Sequence, residues 1–288
     1  MSDPATLRAE AEALARALPG ISLNAAAADA IHLGAAGRKR AGSGEQFWQY
    51  RHYVQEDAAH RVDWRRSARG DDMYVRETEL ETARTVLFWA DPHAGFDWTG
   101  DTARPTKAHV ARIMLLASGL LLSRAGERVG SLGGSRKPGF GKAAGDKLAD
   151  DLSQPSQTDF PQPPKSHALI VVASDFYDPI SVWQERLAPL AARARNGILL
   201  AVSDPVELDF PWQGRVKFSR PGGSLSRIFG RAETMRETYL DRLQNHFEAL
   251  EKLAHGMGWQ LVRHTTNEPL TQGGARLTAA LENFGARI

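Results

Sequence analysis

Apolar residues along the chain switch between two spacings. Leu7, Ala11, Leu14, Ala15 and Leu18 recur at helical intervals and stop at Pro19-Gly20, with Asp3-Pro4 placed to cap and open a helix. From Ile31 to Leu80 the periodicity is weak, and Phe47, Trp48, Tyr50, Tyr53, Trp64 and Tyr74 alternate with charges, which predicts short strands and turns. Thr85–Trp89 is a continuous apolar run ending at Asp91, the pattern of a strand buried on both faces. Val110, Ile113, Met114, Ala117, Leu120 and Leu121 then mark an amphipathic helix, and Glu127–Leu132 a short strand. Gly133–Pro164 is polar and reads as mostly loop, with a short helix around Ala143–Leu152. Ala168–Ala173, Gly197–Ser203, Arg215–Ser219 and Trp259–Arg263 read as strands. Val182–Ala194, Phe229–Met257 and Ala275–Phe284 read as helices.

This alternation predicts a doubly wound α/β domain with a mostly parallel sheet over residues 85–288. Residues 1–84 are expected to form the N-terminal helix and a small strand- and turn-rich module, with the break near Leu80–Arg84.

Composition narrows the chemistry. The 288 residues are 42 % hydrophobic and 24 % charged, and 36 Lys+Arg against 34 Asp+Glu leave a formal charge of +2. That balance is unlike a dedicated polyanion binder. There is no cysteine, so disulfides, thiolate nucleophiles, iron–sulfur clusters and cysteine-ligated zinc are excluded. The longest apolar runs fall far short of the ~18 residues of a membrane span, and the N-terminus has neither a basic region nor an apolar leader. A cytoplasmic protein is expected.

Open α/β sheets bind ligands beyond the carboxyl ends of their strands. Asp91 and Asp175 each follow an apolar run directly. They can be half of a site for a hard cation, or caps of the turns that follow. The chain carries no G-x-G-x-x-G after its first buried strand, no Walker loop (Gly141-Lys142 is followed by Ala143), no G-x-S-x-G and no H-E-x-x-H. No catalytic constellation, cofactor or enzyme class is therefore predicted. The alternatives are a metal-dependent hydrolase using Asp91 and Asp175, and nucleic-acid binding through Arg65, Arg66, Arg136 and Lys137.

The segment Phe47–Glu81 is the most distinctive. Arg51, Arg61, Arg65, Arg66, Arg69 and Arg76 stand among Glu56, Asp57, Asp63, Asp71, Asp72, Glu77, Glu79 and Glu81. The mixture suggests guanidinium–carboxylate pairs within a folded module, or a docking face for an acidic partner. Asp63 and Trp64 are expected at a buried join, with Arg65 and Arg66 more exposed.

The same segment resembles the domain of unknown function 58 family. Arg51, Tyr53, Asp57, Arg61, Asp63, Trp64 and Arg69 resemble its R-x-Y-x-x-G-D-D-x-R-x-I-D-W-x-x-x-A-R block, with Glu56 at the glycine position and a slightly longer spacing to Arg61. Arg76, Glu77 and Glu79 match the V-R-x-x-E-x-E stretch that follows. Downstream, Ser174-Asp175-Phe176-Tyr177-Asp178 and Ser203-Asp204-Pro205-Val206-Glu207-Leu208 are similar to its S-D-F-x-D and D-P-x-E-L motifs. The resemblance implies a von Willebrand factor A-like domain and a non-catalytic accessory role with a MoxR-type AAA+ ATPase and a client protein. Such domains hold a divalent cation through D-x-S-x-S. Here Asp91 and Asp175 match the two Asp positions, but His93 and Gly95 replace the serines, which implies a degenerate metal-ion-dependent adhesion motif without bound metal.

Overall fold

The computed structural model describes residues 3–21, 23, 41–54, 62–68, 72–79, 84–154, 160–165, 167–194, 196–219 and 226–286. The chain divides into two compact units: Met1–Leu23 with Arg84–Ile288, and Asn24–Ala83. No described helix is long and apolar enough to cross a membrane.

In the smaller unit, β1 (Ala41–His52) pairs antiparallel with β2 (Tyr74–Glu79) in a bulged register. A short helix, α2 (Trp64–Ser67), is tied to this ribbon where the Asp63 N–H donates to the Tyr74 carbonyl at 2.8 Å and the Tyr74 N–H to Ser67 Oγ at 2.9 Å. Val62 and Val75 are buried beneath it.

The larger unit opens with α1 (Pro4–Ala17), capped by Asp3 with Pro4 at its first turn. Its sheet contains β3 (Thr85–Ala90), β4 (Arg128–Ser131), β5 (Leu169–Ser174), β6 (Asn196–Ser203) and β9 (Gln260–Thr265) in the order β4-β3-β5-β6-β9, all parallel. A separate antiparallel hairpin joins β7 (Val216–Ser219) to β8 (Ser226–Phe229). The helices are α3 (Lys107–Arg124), α4 (Gly141–Ser153), α5 (Ile180–Ala191), α6 (Pro205–Asp209), α7 (Arg236–Gly256) and α8 (Leu270–Ala286).

The unbroken apolar runs follow from two covered faces. Side chains alternate along a strand, so Val86, Phe88, Val171, Ala173, Ile198 and Leu200 enter one core with α1, α3, α4 and α8. Leu87, Trp89, Ile170, Val172, Leu199 and Ala201 enter the other with Trp183 and Leu187 of α5 and Phe247 and Leu250 of α7. Gly197 admits the indole of Trp259 across β6, where an added Cβ would lie 2.1 Å from the ring.

The doubly wound fold is as expected, and three local features differ. Helix α3 is buried almost all round rather than on one stripe, because Leu7, Ala11 and Leu14 of α1 cover its outer side. The N-terminal helix thus packs in the sheet unit, although its sequence neighbours fall in the smaller one. The short helix expected around Ala143–Leu152 is present as α4 and buries Ala144, Leu148, Ala149 and Leu152. Lastly, α7 starts later than Phe229, because Ser226–Phe229 pairs with β7 and Gly230 interrupts the chain before the apolar spacing begins.

Candidate functional site at the strand ends

Strands β3 and β5 are sheet neighbours whose outgoing connections leave in opposite directions, β3 toward β4 and β5 toward β6. A topological switch point of this kind opens a crevice at the carboxyl ends of the two strands. Asp91 and Asp175 stand at those ends, and both line a cavity of about 610 Å³.

The Asp91 carboxylate is 8 % exposed. Its Oδ2 accepts from Ser174 Oγ at 2.7 Å and its Oδ1 from the His93 N–H at 3.0 Å. Burial raises its pKa above the ordinary carboxylate value, against the effect of those two hydrogen bonds. The imidazole of His93 lies over Gly95, whose added Cβ would sit 2.4 Å from His93 Cε1. The two departures from D-x-S-x-S are therefore coupled: with this ring in place, position 95 has no room for a side chain.

Asp175 and Glu207 share a buried cation. Lys107 Nζ donates to Asp175 Oδ2 at 2.9 Å and to Glu207 Oε1 at 2.6 Å, and the Lys107 side chain is fully buried. The ring centroids of Tyr177 and Trp98 lie 5.0 and 5.6 Å from the same ammonium, within cation–π range. Glu207 Oε2 accepts from the Tyr177 hydroxyl at 3.2 Å and from the Asp204 N–H at 2.9 Å. Burial pushes the Glu207 pKa up while Lys107 pulls it down. Burial, then the Glu207 carboxylate, holds the Tyr177 hydroxyl well above its ordinary value, so it remains a donor.

Local sequence explains this placement. Asp204-Pro205-Val206-Glu207 forms a capping box that opens α6, with Pro205 in the first turn. Asp204 is completely buried and also accepts from the Gly100 N–H at 3.1 Å, Arg104 Nη2 at 3.3 Å and Thr266 Oγ1 at 3.3 Å. It thereby ties the 97–106 loop, and so the start of α3, to the ends of β6 and β9. Phe176, next to Asp175, holds a left-handed φ of 58°, a strained conformation of the kind that gathers at functional sites.

The structure brings together four of the residues singled out in the sequence, Asp91, His93, Gly95 and Asp175. Sequence reasoning missed Lys107 and treated Glu207 only as part of a motif. A signal for Lys107 existed, since a cation in the first turn of an 18-residue helix opposes the helix dipole and calls for a local anion. Among the described residues, no three His, Asp or Glu side chains are grouped to hold a metal ion.

The block in the smaller unit is placed in part. Asp57, Arg61 and Arg69 lie outside the described residues. Arg51, Arg76, Glu77 and Glu79 occupy backbone positions on β1 and β2, and Tyr53 follows β1. Asp63 is the N-cap of α2; its Oδ1 accepts from the Arg65 and Arg66 N–H groups, each at 3.1 Å, and its Oδ2 from the Tyr50 hydroxyl at 3.0 Å. Arg65 and Arg66 are exposed, as expected, and the Arg66 guanidinium lies 4.3 Å from the Tyr50 ring centroid. The expectation for Trp64 fails: its side chain is 62 % exposed, because α2 turns its Ser67 side inward. Accordingly, Asp63→Ala is expected to cost about 1 kcal/mol, the value of an N-cap. Trp64→Ala should change stability by no more than about 0.5 kcal/mol. Urea melts of the two variants check both values.

Fold and cleft together define a von Willebrand factor A-like α/β protein with its candidate site at the switch point of the sheet. The profile described as protein of unknown function DUF58 matches residues 49–249, well over half of the chain, and the chain belongs to that family. No curated protein and no solved structure matches it.

Proposed function

We propose that the protein is a non-catalytic interaction protein that acts with a MoxR-type AAA+ ATPase in the assembly or maturation of another protein complex. Its strand-end cleft docks a partner without a metal ion. The observation that supports this reading is the ammonium of Lys107, bonded to Glu207 and to Asp175, one of the two carboxylates to which the family resemblance assigns a divalent cation. A divalent ion does not fit the residues present. The two serine hydroxyls of D-x-S-x-S are replaced by an imidazole and a glycine, and the Asp175 carboxylate is already neutralised by a lysine. The adhesion motif is degenerate in this sense: the protein supplies its own cation. The ATPase as the partner is what the family resemblance of the sequence implies.

Neither alternative gains from the geometry. A hydrolase using Asp91 and Asp175 would need Asp175 to hold an ion, yet that carboxylate is bonded to Lys107. For nucleic-acid binding, Arg136 bonds Asp150 at 3.2 Å instead of standing as an unpaired cation.

Immobilised protein exposed to a MoxR-type ATPase of the same organism tests the proposal. The expected result is saturable binding that survives removal of divalent ions by chelation in the absence of nucleotide. Binding that vanishes on chelation, or no binding at all, would overturn it.

Asp91 provides a test of cleft function through stability. A buried carboxylate with a raised pKa costs stability as pH rises through its folded value, whereas below the ordinary value of about 4 both folded and unfolded forms are protonated. Asp91→Asn is therefore expected to equal or exceed the wild type in stability at pH 7, with its advantage shrinking toward pH 4. Paired urea melts at the two pH values measure this.

A further inference from the structure

The cavity wall carries more anionic and aromatic surface than Lys107 uses. Asp91 and Asp178 line it beside Asp175 and Glu207, and Lys217 is the one Lys or Arg among its described lining residues, with His93 as the further basic group. Asp178 pairs with Arg186, and Asp175 and Glu207 share Lys107. Asp91, by contrast, is hydrogen-bonded to a hydroxyl and a backbone N–H, and among the described residues His93 is the basic group beside it, with no Lys or Arg paired to this buried carboxylate. Trp98, Tyr177, Trp183, Trp212 and Phe218 make up much of the remaining lining, with Lys107 over the rings of Trp98 and Tyr177 and the Arg186 guanidinium over that of Trp183.

Carboxylate beside aromatic rings is the chemistry that recognises a guanidinium, which is planar, weakly hydrated, able to stack on rings and able to donate two parallel hydrogen bonds to one carboxylate. Two further polar atoms of the wall are buried and, among the described residues, have no hydrogen-bond partner: Nε2 of His93 and Nε1 of Trp183, the latter on a side chain 1 % exposed. An indole N–H can only donate, so its partner must bring an acceptor. A guanidinium has none. A peptide carrying one does, in its backbone carbonyls.

We propose that the cleft receives an arginine side chain of the partner polypeptide, with the guanidinium on Asp91 between the aromatic faces and an adjoining backbone carbonyl on Trp183. The polarity is then opposite to that of a metal-bearing adhesion site, where the protein presents a cation to its partner. This inference rests on the reading of the cleft as a docking site and names the group that docks there.

The test titrates the full chain with acetyl-Gly-Arg-Gly-amide, its citrulline counterpart and agmatine, following tryptophan fluorescence and confirming stoichiometry by calorimetry. The arginine peptide is expected to bind saturably at one site in the millimolar range. The citrulline peptide, isosteric and uncharged, should bind at least tenfold more weakly, and agmatine, which lacks the carbonyls, at least threefold more weakly. Asp91→Asn should weaken the arginine peptide at least fivefold while the protein stays folded. Lys217→Ala, which removes a repelling charge from an exposed position, should tighten it about twofold, and Glu248→Gln on the outer side of α7 should leave it unchanged. Equal binding of arginine and citrulline peptides, no effect of Asp91→Asn, or no saturable binding would overturn the proposal. Agmatine binding tighter than the peptide would overturn the polypeptide as its source. Binding of the ATPase without binding of the peptide would reject the guanidinium and keep the partner reading, and the reverse would keep the guanidinium and reject that partner.

Discussion

Replacing Lys107 with methionine is expected to lower stability at pH 7 by about 3–5 kcal/mol, the largest effect of any single substitution in the cleft. Methionine preserves most of the length and apolar stem but removes the charge. Asp175 and Glu207, with side chains 7 % and 14 % exposed, would then face each other without a cation. Burial already raises the Glu207 pKa and Lys107 opposes that rise, so loss of the ammonium drives it higher. The sign of the pH dependence follows. A carboxylate with a raised folded pKa loses stability as pH rises through that value, so the deficit of the variant is greatest near neutrality and shrinks as Glu207 takes up its proton in acid. Urea denaturation at pH 7 and pH 5 reads both quantities. A loss below about 1 kcal/mol at pH 7 would mean that the pair is not held by this charge.

A comparable loss, again about 3–5 kcal/mol, is expected for Asp204→Ala. The fully buried carboxylate collects donors from three separate elements: the 97–106 loop, the first turn of α6 and the end of β9. Alanine would leave the Arg104 guanidinium, the Gly100 N–H and the Thr266 hydroxyl short of an acceptor inside the protein. Asp204→Asn keeps one carbonyl acceptor and should lose much less. Because Asp204 also positions the loop that leads into Lys107, the alanine variant should lose cleft ligands even under conditions where it remains folded. Melting curves for the two variants, with peptide titration of the folded one, separate these effects.

The sheet was legible in the sequence because burial on both faces leaves a mark that local pattern can carry. Thr85–Trp89, Ala168–Ala173 and Ile198–Val202 could be read as strands, and Asp91 and Asp175 as their ends, without any knowledge of neighbours. The centre of the cleft was not legible, because it is made by side chains remote in sequence. Lys107 is 68 positions from Asp175 and 100 from Glu207. Nothing in the segment around Lys107 reports those carboxylates except the misfit between a lysine and a helix N-terminus. Trp64 failed for the opposite reason. An aromatic residue in a charged segment suggests a buried anchor, yet the Asp63 cap starts a single helical turn whose inward side is Ser67. In α3 the stripe Val110, Ile113, Met114 and Ala117 is buried, but so is nearly all the rest of the helix, because α1 packs in the same core, a tertiary contact that periodicity does not encode.

In this cleft a buried lysine ammonium, not a divalent cation, neutralises the carboxylate of Asp175. Calorimetric titration of the chelator-treated wild-type protein with Mg²⁺, and separately with Mn²⁺, tests it most directly. The account predicts no saturable heat at sub-millimolar ion and no change in melting temperature. Stoichiometric binding of either ion, abolished by Asp175→Asn, would contradict it.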